Sequence, residues 1–218
     1  MDSNKVICFD IGGTFVKYGV LDYEGNILAK GSFKSNTDNG QEILDNMCGV
    51  IEKYKKIFKI DGISISSPGF IDVENGVITT GTIINGFIGL NMKEYFGNKF
   101  GLPVVIDNDA NCATIAEHKL GNGKGCKNLV CVTIGTGIGG GIIINNEIYN
   151  GSRFMAGEFG FMFINGTKRQ NPDHYIYSNY ASTRALVEKA NKKLNEEVDG
   201  KQIFERAESG DTVCEEIL

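Results

Sequence analysis

Apolar and β-branched residues open the chain in short runs. KVICFDI, over 5–11, predicts a buried strand. Residues 15–21 and 27–33 keep that character around the turn Asp22–Asn26, so a strand, a loop and a hairpin are expected. Over 41–58 the period changes. Ile43, Leu44, Met47, Val50, Ile51, Tyr54 and Phe58 fall on one stripe, as in a helix with one apolar face. A strand over 61–66 runs into a Pro68–Gly69 turn, and a second hairpin turns at Glu74–Gly76. A short helix is predicted over 91–100 and a strand over 103–107. A helix follows over 109–120, with Ala110, Ala113 and Ala116 available for close packing.

The pattern then restarts. Residues 128–134 predict a strand, Gly135–Gly141 a glycine loop, and 142–149 a strand pair around Asn145–Asn146. FDIGGTFVKYGVL (9–21) and VTIGTGIGGGIII (132–144) both read strand, glycine turn beginning x-I-G, strand. This is a structural repeat, one copy per domain, with an expected hinge near 108–125 and a cleft between the halves. The expected domains are 1–108 and 109–218. Helices are predicted over 181–195, 200–208 and 211–218, with Asp211 as an N-cap. The last of these is only about two turns long, which is short for the end of a complete domain.

Composition narrows the partners. The 218 residues suffice for one or two domains, and 41% hydrophobic with 22% charged residues is ordinary for a soluble globular chain. The net charge of −5 argues against nucleic acid or an anionic membrane, since those need clustered Lys and Arg. The basic stretch Lys53–Lys59 is short and suits a solvated helix face. None of the six cysteines forms a CxxC pair, the N-terminus lacks a signal-peptide pattern, and no apolar run is long enough to span a membrane. A reducing cytoplasm is the expected compartment.

Two glycine loops carry the first candidate chemistry. In Asp10-Ile11-Gly12-Gly13-Thr14, the absence of Cβ atoms at Gly12 and Gly13 lets backbone N–H groups approach phosphate oxygens, and Thr14 adds a hydroxyl. Asp10, at a strand end, can hold Mg²⁺ through its waters. A bare Gly-Gly pair would be no more than a tight turn; the flanking Asp10 and Thr14 favour a ligand. The second loop, Gly135-Thr136-Gly137-Ile138-Gly139-Gly140-Gly141, holds five glycines, more than a plain turn needs. Gly135, Gly137 and Gly140 also match G-x-G-x-x-G, but IIINNEIYNG follows where a dinucleotide motif must open a helix. A Rossmann oxidoreductase is therefore rejected.

The acidic segment Ile106-Asp107-Asn108-Asp109-Ala110-Asn111 lies between a strand and a helix. Either aspartate could cap the helix while the other works, because the helix dipole stabilises a carboxylate there. Phosphoryl transfer to a hydroxyl needs such a carboxylate within hydrogen-bond reach. Asn108 could hold a neighbouring hydroxyl. Glu158, set among small residues in AGEFG, could accept two more, although alone it would read as a turn glutamate.

Together, FDIGGT (9–14), SSPG (66–69), IDNDANCATIAE (106–117), TIGTGIGGGI (133–142) and AGEFG (156–160) resemble the ROK family of sugar kinases, from Val6 to about Gly166. The resemblance implies an α/β fold of the actin-like ATPase (RNase H-like) type, with two domains, an interdomain cleft and an incomplete second domain. It implies Asp109 as general base and Asn108 and Glu158 as ligands of sugar hydroxyls, with Gly69 lining the pocket. It implies that Gly12, Gly13 and Thr14, with Gly135, Thr136 and Gly137, bind the ATP phosphates, and that Asp10 lies near Mg²⁺. Two departures stand out. Many members have His directly after E-x-G and a CxCGxxGC zinc cluster beyond; here the position is Phe161 and 162–180 hold no cysteine, so no zinc is expected and His174 reads as an ordinary loop histidine. GSRFMAGEFGFMF (151–163) looks like the zinc-free β-glucoside kinases, which implies phosphorylation of the 6-hydroxyl of glucose or of a β-glucoside such as cellobiose, with N-acetylmannosamine as an alternative. The second departure is length: members are longer, so weakened ATP binding and exposed apolar surface are expected, with a homodimer by analogy. Two other classes stay open: a sugar-responsive ROK regulator, against which stand the eight residues before Phe9, and a catalytically impaired sugar-binding remnant.

Overall fold

Strand β1 (Lys5–Ile11) buries Ile7, Phe9 and Ile11 and leaves Asp10 exposed among them. Successive strand residues face opposite sides, so the alternation that builds the core also turns the carboxylate away from it. β2 (Phe15–Asp22) and β3 (Ile27–Lys34) complete an antiparallel meander. Helix α1 (Gly40–Lys55) leads to β4 (Ile60–Ser67), parallel to β1. A small hairpin, β5 (Phe70–Asp72) and β6 (Val77–Thr80), and helix α2 (Met92–Phe100) precede β7 (Val104–Asn108), parallel to β4. The sheet order is β3–β2–β1–β4–β7. Its core joins Ile7, Phe9, Ile63 and Ile65 of the sheet to Ile43, Met47 and Ile51 of α1.

The computed structural model describes residues 4–164 and 175–218. They form two units, one of Met1–Cys112 with Gly151–Met155, the other of Ala113–Asn150 with Ala156–Leu218. The sheet above belongs to the first. The second holds β8 (Leu129–Ile134), β9 (Ile138–Ile144) and β10 (Glu147–Ile148), an antiparallel meander in the order β10–β9–β8. The repeated sequence pattern is thus a repeated strand–turn–strand. In each copy the first glycine N–H closes the turn: Gly12 N–H donates to Phe15 O at 3.1 Å and Gly135 N–H to Gly137 O at 2.9 Å. Asn145 and Asn146 connect β9 to β10 with φ of 53° and 70°, the positive pair of a tight hairpin turn.

Helix α3 (Asp109–Lys119) is followed in the second unit by α4 (Ser178–Ala181), α5 (Thr183–Leu194), α6 (Gly200–Glu208) and α7 (Thr212–Glu215). Ala190, Ile203 and Cys214 centre a small core there. Asp211 caps α7 as the sequence predicts, accepting from Val213 N–H at 2.9 Å and Cys214 N–H at 3.2 Å.

Four expectations are corrected. The helix predicted over 41–58 ends at Lys55, and Ile57 and Phe58 N–H both donate to Tyr54 O. Phe58 still reaches Tyr54, stacked at 6.2 Å, so a turn keeps the contact and frees the backbone to enter β4. The helix predicted over 181–195 breaks at Ser182, whose ψ of 161° lets its hydroxyl cap α5 at Ala185 N–H. The helix predicted over 211–218 is the single turn of α7. On α3 the alanines do not mark the packed face: Ala116 is exposed, and Asn111, Thr114 and His118 are buried beside Ala110. On that face His118 Nε2 donates to Cys126 O at 2.8 Å and Asn111 Nδ2 to Asp107 Oδ1 at 2.9 Å.

Candidate active site

Parallel strands β1, β4 and β7 end side by side, and their carboxyl ends carry the polar residues. Register pairs Asp10 with Ser66 and Ser66 with Asp107. The three therefore form one row across the sheet, on the face opposite Phe9, Ile65 and Ile106. Ser66 Oγ donates to Asp10 Oδ1 at 2.9 Å. The open end of such a sheet is where α/β folds place ligands.

The β7–α3 junction organises the rest. Asn108, not either aspartate, caps α3: its Oδ1 accepts from Ala110 N–H at 2.9 Å and Asn111 N–H at 3.3 Å. Its Nδ2 donates to Gly69 O at 3.0 Å. Gly69 has a φ of +110°, and a Cβ there would lie 2.7 Å from Thr80 O, so only glycine fits. Asp107 Oδ1 accepts from Asn108 N–H at 2.7 Å and Asn111 Nδ2 at 2.9 Å. Burial pushes the Asp107 carboxyl above the usual range, against those bonds.

Asp109 is the first residue of α3. Its side chain is exposed, but the protein packed around the carboxyl strips enough water from it to hold it above the ordinary carboxylate range. The charge of Asp10 adds to the rise, and the Ala110 N–H bond at 2.9 Å opposes it. A carboxylate with a raised pKa is a stronger base, which suits proton abstraction. Cys112, one turn further along α3, is pushed up to about 12 by burial and by Asp107 and Asp109.

Gly12 and Gly13 directly follow Asp10. A Cβ at Gly12 would stand 3.0 Å from Phe15 O, and one at Gly13 3.3 Å from Ile83 Cδ1. Thr14 is exposed beside them and its O accepts from Ser35 N–H at 2.9 Å. Asp10, Gly12, Gly13, Thr14, Gly69, Asn108 and Asp109 thus all lie at the strand ends of the first unit.

The glycine-rich segment of the second unit divides into two kinds. The turn is only Gly135–Gly137; β9 takes Ile138 onward, which corrects the loop expected to Gly141. Gly140 is a packing glycine, since a Cβ there would lie 2.4 Å from Cys131 O and 2.5 Å from the Phe159 ring. Gly135 and Gly137 are exposed, and a Cβ on either meets nothing closer than 3.8 Å. Nothing inside the protein demands glycine at those two positions. The motif opens a strand rather than a helix, so the dinucleotide reading fails on structure as well. Gly135 O accepts from Thr183 N–H at 2.9 Å, tying the turn to the start of α5. Glu158 is half-buried just before the short 3₁₀ turn Phe159–Phe161. Its neighbour Gly157, with a φ of +86°, packs on Gly140 O, where a Cβ would come within 2.6 Å.

The profile of the ROK family matches residues 6–218. The chain belongs to the ROK family. This ROK chain is 38% identical to a β-glucoside kinase of Listeria monocytogenes, over 98% of its own length and 73% of the relative's. In structure it is similar to a Listeria monocytogenes protein named provisionally as an N-acetylmannosamine kinase, with a TM-score of 0.89 and 37% identity over 98% of this chain and 73% of that one. It is also similar to a ROK glucokinase of Streptomyces griseus bound to glucose and AMPPNP, with a TM-score of 0.82 and 29% identity over 98% and 74% of the two chains. The fold is the actin-like α/β fold of these ROK structures.

Sequence reasoning missed Ser66 as a site residue and passed over Cys112. Each looks ordinary in a strand or helix, and only the register and the helical turn bring them to Asp10 and Asp109. Among the described residues no three His, Cys, Asp or Glu side chains converge as a metal cluster, and no helix is long and apolar enough to cross a membrane. His174 lies outside the described residues.

Proposed function

We propose that this ROK chain is an ATP-dependent sugar kinase. Asp109 takes the proton of a sugar hydroxyl while that oxygen attacks the γ-phosphorus of ATP and ADP leaves. The observation that carries this is Asp109 itself: an exposed carboxylate at a helix start, beside Asp10 and next to Asn108, whose pKa is raised by the protein packed around it. Partial loss of hydration makes it a stronger base, and its exposure leaves it open to a sugar hydroxyl.

In the first unit, the N–H groups around Gly12 and Gly13 and the Thr14 hydroxyl bind phosphate oxygens. In the second, Gly135, Thr136 and Gly137 do the same; the exposed turn with no internal need for its glycines supports this. Asp10 fits a role beside Mg²⁺, being a single exposed carboxylate with one oxygen bonded by Ser66, since Mg²⁺ takes one or two carboxylates with phosphate and water. Bound there, Mg²⁺ would neutralise charge on the transferring phosphoryl group. Asn108 has a second Nδ2–H to offer a sugar hydroxyl, and Glu158 accepts others.

The relatives favour glucose or a β-glucoside such as cellobiose, phosphorylated at the 6-hydroxyl, with N-acetylmannosamine next. The six free cysteines suit a reducing cytoplasm. The test is coupled ADP release from Mg-ATP with cellobiose, glucose and N-acetylmannosamine. Turnover with one sugar, abolished in Asp109→Asn, establishes the kinase and names its substrate. Sugar binding by calorimetry without any turnover would instead establish a binding-only protein.

A further inference from the structure

Ser66 has no assigned part in the chemistry, yet it stands beside Asp10, which has one. It occupies the middle strand of the β1–β4–β7 row, opposite Asp10 on one side and Asp107 on the other. An ionised carboxylate can only accept, so the single hydroxyl hydrogen of Ser66 goes to Asp10 Oδ1, at 2.9 Å.

We propose that Ser66 is a positioning residue for Asp10: its hydroxyl fixes which carboxylate oxygen faces the metal–nucleotide and holds that oxygen in one orientation. The need follows from the site's geometry. Asp10 is exposed at the end of a strand, and three acids lie at neighbouring positions, so an untethered Asp10 would swing with their repulsion. A hydrogen bond to one oxygen leaves the other aimed outward. Groups that hold a metal-facing ligand in this way commonly change metal affinity or activity by about 10–100-fold when removed. This inference rests on the kinase reading, with Asp10 beside Mg²⁺.

The test uses the whole chain with Ser66→Ala and Ser66→Thr. Mn²⁺ serves as the metal probe with AMPPNP, its binding read by electron paramagnetic resonance. Ser66→Ala is expected to weaken Mn²⁺·AMPPNP binding about tenfold. Sugar binding by calorimetry and the melting temperature stay near wild type, and Ser66→Thr, which keeps the hydroxyl, restores metal binding. In turnover the KM for Mg-ATP rises while the KM for sugar holds. Wild-type Mn²⁺·AMPPNP binding that is unchanged in Ser66→Ala overturns this role and leaves the kinase reading intact. Equal losses of sugar binding, metal binding and melting temperature also overturn it, by making Ser66 a structural residue. A wild-type chain that binds no Mn²⁺·AMPPNP overturns the kinase reading and this inference with it.

Discussion

Asn108 holds Gly69: its Nδ2 donates to the Gly69 carbonyl at 3.0 Å while its Oδ1 caps helix α3. One amide thus sets both the start of the helix that carries Asp109 and the turn after β4. The two halves of the side chain can be separated by substitution. Asn108→Asp keeps the capping oxygen and loses the donor to Gly69; Asn108→Ala loses both. Loss of a cap costs about 1 kcal/mol. Thermal melts should show Asn108→Ala lowered by at least that much, with Asn108→Asp lowered less. Both should lose turnover. An Asn108→Asp variant as unstable as Asn108→Ala would show that the Gly69 contact, not the cap, holds the junction.

Asp109 sets activity against stability. Its carboxyl lies above the ordinary range chiefly through lost hydration, so the folded chain holds the proton more tightly than the unfolded chain. The stabilising contribution is fully present below the unfolded value of about 3.9 and is lost as pH rises through the higher folded value. At pH 7 the ionised group is therefore a net burden on the fold. Asp109→Asn, which can still accept from Ala110 N–H, should melt higher than wild type at pH 7. The difference should shrink as pH falls toward 4. Turnover should drop about 10²–10⁴-fold in the same variant. The acid limb of the wild-type rate should lie above the usual carboxylate pKa. A melt difference that does not depend on pH would rule out Asp109 as its source.

The glycines of the second unit make a paired test. Gly140→Ala drives a methyl against Cys131 O and the Phe159 ring, at 2.4 and 2.5 Å before relaxation, and should cost about 1–3 kcal/mol of stability. Gly135→Ala and Gly137→Ala meet no atom closer than 3.8 Å and should leave the melt unchanged. If phosphates approach that turn, both should weaken AMPPNP binding measured by calorimetry. Nucleotide affinity untouched in both would remove the second turn from the phosphate site.

How much of this was legible in the sequence depends on the kind of signal. The β-branched and aromatic run placed β1, with Asp10 at its end; that Ile7, Phe9 and Ile11 go inward and turn Asp10 outward is seen only in the fold. The Asn145–Asn146 turn was legible because two positive φ values in a row select such residues. The glycine run was not divided correctly. Sequence shows that a Cβ is missing but not what would fill the space, and Phe159, which fills it at Gly140, is 19 positions away. On α3 the buried face is polar, so a search for apolar periodicity could not find it. Ser66 became visible only through strand register, which pairs it with a residue 56 positions earlier.

The outer edge of β8 is the place where this chain should adhere to others. In the first unit the opening strand of the meander, β1, is paired on its far side by β4. β8 opens the second meander, and among the described residues no strand covers its far side. Val130, Val132 and Ile134 are 58%, 48% and 66% exposed along it. An unpaired edge lined with β-branched side chains is a template for another strand, and a lysine on such an edge is the usual guard against pairing. Val132→Lys should therefore raise the concentration at which oligomers form by about tenfold, or ~1.4 kcal/mol of association energy. The melting temperature should barely move, since Val132 is half exposed and faces Gly140 across the ladder. Sedimentation velocity over a concentration series measures this directly. Self-association that persists unchanged in Val132→Lys would locate the adhesive surface elsewhere.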